Sequence, residues 1–223
     1  MWKEIKNLWS SDNLLNEAWD MAYEAISIDS EMFDEAVNAL WTDDEKAVQK
    51  LIFKKDKLVN KYERDIRRKV VTHLAVKGGD IPAGLVLSTI IVDIERIGDY
   101  IKNIVELTDL HREELVAEAD QKIELTNIEN AIKKMFSKVA DCVDEGDEDQ
   151  ALAIYTETNE IGKTCDEQIR LMIRKRDGNY AAETLAVLVL YFRYLKRINA
   201  HLRNIISSVI NPYDRIGFKP KNK

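Results

Sequence analysis

Helix breakers are scarce in this chain of 223 residues. It contains 3 prolines and 8 glycines, so long uninterrupted helices are permitted. Cysteine is scarcer still. Cys142 and Cys165 form no C-x-x-C pair, and only His73, His111 and His201 stand beside them. That excludes a disulfide framework and a Cys/His zinc module; both thiols read as buried and reduced. No apolar run approaches the ~18 residues a membrane span needs, and the N-terminus lacks a signal-peptide core, so the expected location is the cytoplasm. Positive charge is in deficit. A formal net charge of -7 argues against a nucleic-acid binder, which needs a basic stripe, and mildly suits cation binding.

What is present is helical periodicity. Ser11 and Asp12 supply N-cap types for a helix over 12–41, with an expected bend or break at Ile26-Ser27-Ile28-Asp29-Ser30. Thr42-Asp43-Asp44-Glu45 is a capping-box pattern ahead of a helix over 43–76. Lys77-Gly78-Gly79-Asp80-Ile81-Pro82 is a turn with Pro in the first turn of the next helix, 82–109. Further helices are expected over 112–144, 148–175 and 180–210, separated by turns at Glu145-Gly146-Asp147 and Arg176-Asp177-Gly178-Asn179 and ended near Asn211-Pro212.

Three helices are therefore followed by three more, and the halves resemble each other. Asp44-Glu45-Lys46-Ala47-Val48 matches Glu148-Asp149-Gln150-Ala151-Leu152. The segment from Glu95 to Ile104 aligns with Lys196 to Ile205, keeping Arg-Ile and Asn-Ile in register. The fold expected is all-α, two tandem three-helix bundles in a six-helix internal repeat with antiparallel neighbours. The divisions are a short amphipathic segment 1–11, a first repeat 12–110, a second repeat 111–211 and a frayed tail 212–223.

The helix over 82–109 carries the candidate chemistry. Leu87, Ile90, Ile94, Ile97, Gly98, Ile101 and Val105 fall on one face. Glu95 and Asp99 flank it, four residues apart and thus neighbours on one stripe. Such a pair can bite one hard cation. Acid pairs at this spacing also occur at Asp20/Glu24 and Glu114/Glu118, so spacing alone carries little; the apolar setting carries more. Asp93 adds a third acid, pointing elsewhere on the wheel. One helix supplies too few oxygens, and Asp56 on the preceding helix comes to similar height by antiparallel packing. Gly98 lets another helix approach closely.

Asp93-Ile94-Glu95-Arg96-Ile97-Gly98-Asp99, followed by Asn103-Ile104, resembles the signature of the PhoU family, helical regulators of phosphate uptake. Asp56-Lys57-Leu58-Val59-Asn60 is similar to the D-x-x-V-N of that family's second helix. The resemblance implies a non-enzymatic regulator acting on the cytoplasmic side of a phosphate transporter, through its ATPase or permease component, with a phosphate-sensing histidine kinase as a further partner. It also implies self-association into homo-oligomers and at most peripheral membrane contact. It implies a divalent or trivalent metal, Fe, Zn, Mn or Mg, held by Glu95 and Asp99, with Asp56 and Asp93 as additional candidates. The second repeat departs from the family pattern. Lys196 replaces the acid and Ala200 the aspartate, so the second metal site is expected to be lost, with Lys196 free to pair with a carboxylate.

Two rival readings follow from the residues. One is a metal-free helical adaptor whose acids are solvated or paired. The other is a di-metal carboxylate bundle enzyme, but that needs E-x-x-H pairs, and no histidine has Glu three residues before it. No G-x-S-x-G supports nucleophilic catalysis. Trp2, Ile5 and Trp9 could lie on a membrane interface, though packing on the bundle is the simpler expectation. Arg64, Arg67, Arg68 and Lys69 interleave with Glu63 and Asp65 and read as a solvated face.

Overall fold

A computed structural model describes residues 14–41, 45–77, 81–110, 119–174 and 181–220. Its elements are α1 (Leu14–Leu40), α2 (Glu45–Lys77), α3 (Ile81–Leu110), α4 (Ala119–Glu145), α5 (Glu148–Glu157), α6 (Asn159–Arg174), α7 (Ala182–Ile210) and a 3-10 turn, Tyr213–Arg215. There is no strand among the described residues. The N-terminal segment 1–11, the capping box at 42–44 and the turns at 78–80 and 176–179 lie outside them, as does His111.

The helices form where apolar residues recur every three or four positions. In α1, Leu15, Ala18, Ala22, Ala25, Met32 and Ala36 are buried. In α3, all seven residues expected on the apolar face are buried. Within the first repeat α1, α2 and α3 pack mutually. In the second, α7 packs on α4, α5 and α6. The repeats join through α3 against α7 and α1 against α4, leaving α2 and α5–α6 on the outside. Equivalent residues meet at this junction. Phe33 and Phe136 lie with ring centroids 5.7 Å apart, and Tyr100 stacks on His201 at 5.7 Å, as an approximate two-fold between repeats requires.

Three details differ from the sequence expectation. Helix α1 runs unbroken through 26–30, because Ile26 and Asp29 both face the interior and packing on either side holds the helix. The expected helix 148–175 is interrupted at Thr158. There Arg203 of α7 donates to the Tyr155 carbonyl at 2.5 Å and to the Thr158 hydroxyl at 3.1 Å, drawing the backbone out of register. The tail does not fray as far as Phe218. The Asn211 side chain donates to the carbonyls of Arg215 and Phe218, and the Gly217 amide donates to Ser207 Oγ, with Gly217 at φ +84. Elsewhere the expectation holds. Asp147 caps α5 by accepting from the amides of Asp149 and Gln150 at 3.0 Å, just after Gly146 turns at φ +69.

Candidate metal centre

Carboxylates from all three helices of the first repeat converge beside Gly98. Helix α3 brings Glu95 and Asp99 to the rim, half-buried. Helix α2 brings Asp56, buried at 7% exposure. Lys102, one turn beyond Asp99, closes the rim: its ammonium donates to Asp99 Oδ1 at 2.9 Å and to Asp56 Oδ2 at 3.4 Å. Asn60 also donates to Asp56 at 3.3 Å. Arg96 lies 3.7 Å from both Glu95 and Asp99.

The third contributor is Asp29 of α1, which lies outside the motif residues of α2 and α3. It is 0% exposed, and neither carboxylate oxygen has a hydrogen-bond partner. A Cβ placed on Gly98 would crowd Asp29 Oδ1 at 3.1 Å and make an ordinary contact with Asp56 Oδ1 at 3.7 Å, so the missing side chain eases the approach of Asp29. Its core-facing spacing is visible in the sequence. Asp29 follows Ala22, Ala25 and Ile26 and precedes Met32, Phe33 and Ala36 at core-facing spacing, a position where a charged residue costs stability.

Crowding shows in the electrostatics. Burial, then the charges of Asp56 and Glu95, hold the Asp29 carboxyl well above the usual range. Burial also raises Asp56, against the pull of Lys102. Burial, then Asp99 and Glu63, raise Glu95. Burial opposes the Lys102 ammonium, but its bonds to Asp99 and Asp56 outweigh this and raise it.

Asp93 stands apart from this group. It points from α3 to α7, where His201 Nδ1 lies 2.7 Å and Asn204 Nδ2 2.9 Å from its Oδ1. Its work is to tie the repeats together. The structure thus assembles Glu95, Asp99 and Asp56, adds Asp29, and sends Asp93 elsewhere.

Among the described residues the second repeat has no counterpart. The offset that carries Phe33 to Phe136 carries Asp29 to Ile132, a fully buried hydrophobe. Gly98 becomes Asn199, Glu95 becomes Lys196 and Asp99 becomes Ala200. Arg203, in the place of Lys102, reaches Thr158 where Lys102 reaches Asp56. Lys196 pairs with Asp166, its ammonium 2.6 Å from each carboxylate oxygen.

This duplicated plan, with Glu95 and Asp99 in the last helix of the first half and Lys196 and Ala200 at the matching places in the last long helix of the second, coincides with two matches to the PhoU domain, over residues 22–108 and 125–209. The chain belongs to the PhoU family. The Phosphate-specific transport system accessory protein PhoU homolog 1 of Thermotoga maritima is 26% identical over 186 residues, 81% of this chain and 79% of that protein. The PhoU homolog of Pseudomonas aeruginosa is 26% identical over 188 residues, 79% of this chain and 74% of that one. The crystal structure of PhoU from Pseudomonas aeruginosa superposes with a TM-score of 0.79 over 88% of this chain and 95% of its own, at 23% identity. That of the phosphate transport system regulatory protein PhoU from Streptococcus pneumoniae gives 0.78 over 88% and 93%, at 18% identity.

Two features fit the first PhoU repeat to a cation: an orphaned buried carboxylate, and a cradle that any side chain at Gly98 would fill. One feature opposes it. With Lys102 between them the acids are splayed, and among the described residues no three acidic, histidine or cysteine side chains stand at coordinating separation. Lys102, its side chain 26% exposed, would have to leave Asp99 and Asp56 before an ion could stand there. The neighbouring donors are all oxygen, which suits hard cations such as Mg, Mn or Fe better than a thiol- or imidazole-seeking ion. Elsewhere the two thiols are buried, Cys142 raised by burial to about 11 and Cys165 to about 12. No helix among the described residues is long and apolar enough to cross a membrane.

Proposed function

We propose that this chain is a non-enzymatic accessory regulator of a phosphate transport system. It works at the cytoplasmic face of the transporter, against its ATPase or permease component, and takes up one metal ion through Glu95, Asp99 and Asp56. The observation that carries the reading is the double PhoU-domain match, with two relatives named as phosphate-specific transport system accessory proteins along about four-fifths of this chain. Bound there, a metal would supply positive charge to a concentrated acidic face. Glu95 and Asp99 would grip it from the rim, Asp56 would hold it against α2, and Lys102 would exchange with it.

Deleting the gene and measuring phosphate uptake tests the regulatory role. Uptake that loses its dependence on external phosphate, restored by the parent chain, is the expected result. Unchanged uptake and unchanged phosphate-responsive expression would refute it. Metal content by plasma mass spectrometry, beside Glu95→Ala/Asp99→Ala, tests the site.

A second reading is a metal-free adaptor working by its helical surfaces alone. It is favoured by Lys102 and by the Lys196–Asp166 pair, since each places a cation of the chain itself among the acids. In that case partner capture survives Glu95→Ala/Asp99→Ala.

A further inference from the structure

We infer that the outer face of α2 is a docking surface for an anionic lipid bilayer, on which the helix lies flat. The inference goes beyond the regulatory reading and stands apart from the metal site.

The charge of this helix runs against that of the chain. Over Glu45–Lys77, eleven lysines and arginines stand against four acids. That is a net of +7 in a chain whose total is -7, so everything outside α2 carries -14. Some cations of α2 turn toward the bundle and are accounted for there. Lys55 meets Glu31 and Glu35 of α1 at 3.0 Å, and Lys69 meets Glu17. The rest form a row. Lys50, Lys54, Lys57, Lys61, Arg64 and Arg68 follow one another at alternating steps of four and three, which sets them along one side of a helix. All six are exposed, and the row is about 27 Å long at 1.5 Å per residue. Among the described residues, only Arg68 of the six is ion-paired, to Asp65 at 3.1 Å. Glu63 and Asp65, which interleave with these cations in the sequence, are half-buried beside the row, and Glu63 is taken by Arg67 at 2.9 Å. Like charges three and four residues apart destabilise a helix, so the row is a cost that the fold itself does not explain.

The apolar neighbours of the row choose its occupant. Leu51, 42% exposed, and Leu58, 36% exposed, stand next to Lys50 and Lys57, and Val71, 67% exposed, continues the row past Arg68. Cations interleaved with apolar side chains suit the boundary of a bilayer, where lysine and arginine meet lipid phosphates and leucine and valine enter the acyl edge. A nucleic-acid backbone would use the cations alone. The packing suits a planar partner as well. Among the described residues α2 packs on α1 and α3, and its other side is a long convex face without a groove. An anionic surface repels the remaining -14 of the molecule, so α2 is driven against the lipid and the second repeat is held away from it.

The test sediments the full chain with vesicles of phosphatidylglycerol and phosphatidylethanolamine, and with vesicles of phosphatidylcholine alone. The parent is compared with Lys50→Gln/Lys54→Gln/Lys57→Gln/Lys61→Gln and with Leu51→Ser/Leu58→Ser, each shown to be folded by thermal unfolding. The parent is expected to prefer the anionic vesicles by at least about tenfold, and the glutamine variant to lose at least about tenfold on them. Most binding should vanish in about 0.5 M salt, where charges are screened within a few ångströms, and the serine variant should bind the anionic vesicles more weakly than the parent. No preference for anionic vesicles, or equal affinity of parent and glutamine variant, overturns the assignment. A parent that binds duplex DNA at least as tightly as the vesicles, with the serine variant unchanged on both, overturns it in favour of nucleic acid. A polarity-sensitive fluorophore locates the contact without removing any charge. Both native thiols are buried, so the label goes to Leu58→Cys on α2 or to Leu171→Cys on α6. A blue shift on vesicle binding at position 58 and none at 171 is expected; a shift at both, or at neither, overturns the assignment.

Discussion

Gly98 faces Asp29 across the α1–α3 interface, where a methyl group would lie 3.1 Å from Asp29 Oδ1, closer than such contacts ordinarily come. Alanine would gain about 1 kcal/mol of helix propensity at position 98. It would also press on the enclosed Asp29 carboxylate, which must give by a few tenths of an ångström, at an overpacking cost of about 1–3 kcal/mol. Gly98→Ala is therefore expected to lower stability in urea unfolding. Gly162→Ala in α6, where nothing lies within 4 Å of the new methyl, is expected to raise it. Equal gains from both would show that the helices are not in close approach at Gly98.

Lys102 acts as the counter-cation of the metal-free rim. Lys102→Met leaves Asp56 and Asp99 without it. Asp99 is half-exposed and screened, but Asp56 is 7% exposed and loses its ammonium partner, so the metal-free protein should lose about 1–3 kcal/mol. The same change removes the competitor for the acids, and affinity for Mn2+ should rise about tenfold, equivalent to about 1.4 kcal/mol. Urea unfolding reads the first change and calorimetric titration the second; weaker Mn2+ binding by the variant would sink the exchange idea.

Asp93 separates tying from metal binding. Asp93→Ala deletes the acceptor for His201 and Asn204 and should destabilise the fold by about 1–3 kcal/mol with metal per chain unchanged. A normal Tm with lost metal would return Asp93 to the metal site.

Glu129 of α4 gives a pH signature distant from that site. It accepts from the Tyr191 hydroxyl at 2.5 Å and from Trp41 Nε1 at 3.1 Å. Burial nevertheless raises its carboxyl above the ordinary 4.5, outweighing those hydrogen bonds. The folded state thus holds the proton more tightly than the unfolded chain, and stability falls as pH rises from about 4.5 through the raised value. Glu129→Gln keeps an acceptor without the charge. It should flatten that part of the profile and match or exceed the parent at neutral pH. Glu129→Leu leaves two donors without this acceptor and should cost about 1–3 kcal/mol. Urea unfolding across pH 4–8 checks all three proteins, and a parent profile no steeper than that of Glu129→Gln would contradict the assignment.

Periodicity made the helices legible because an amphipathic stripe is a local property: Leu87, Ile90, Ile94, Ile97 and Ile101 declare a helix and its buried face wherever they are packed. The i, i+4 placement of Glu95 and Asp99 is equally local, and so is the loss of that pair at Lys196 and Ala200. Asp56 was within reach because antiparallel neighbours joined by a short turn have fixed relative heights. Asp29 was not legible, although its core-facing position was visible. A polar cluster in mid-helix reads as a bend until partners on both sides are known, and only packing showed the helix continuing with the carboxylate turned inward.

The interruption at Thr158 belongs to the same class, for its cause is Arg203, remote in sequence. So does Asp93, whose place on the wheel separated it from Glu95 but whose partners, His201 and Asn204, lie in the other repeat. The sequence by itself determined the period of the helices, their buried faces and the plan of two like halves, because these follow from residues within a few turns of one another or from direct likeness between segments. Tertiary structure alone decided which acids share a site and which tie the repeats together. Those assignments depend on distances between helices, and distance along the chain carries no record of them.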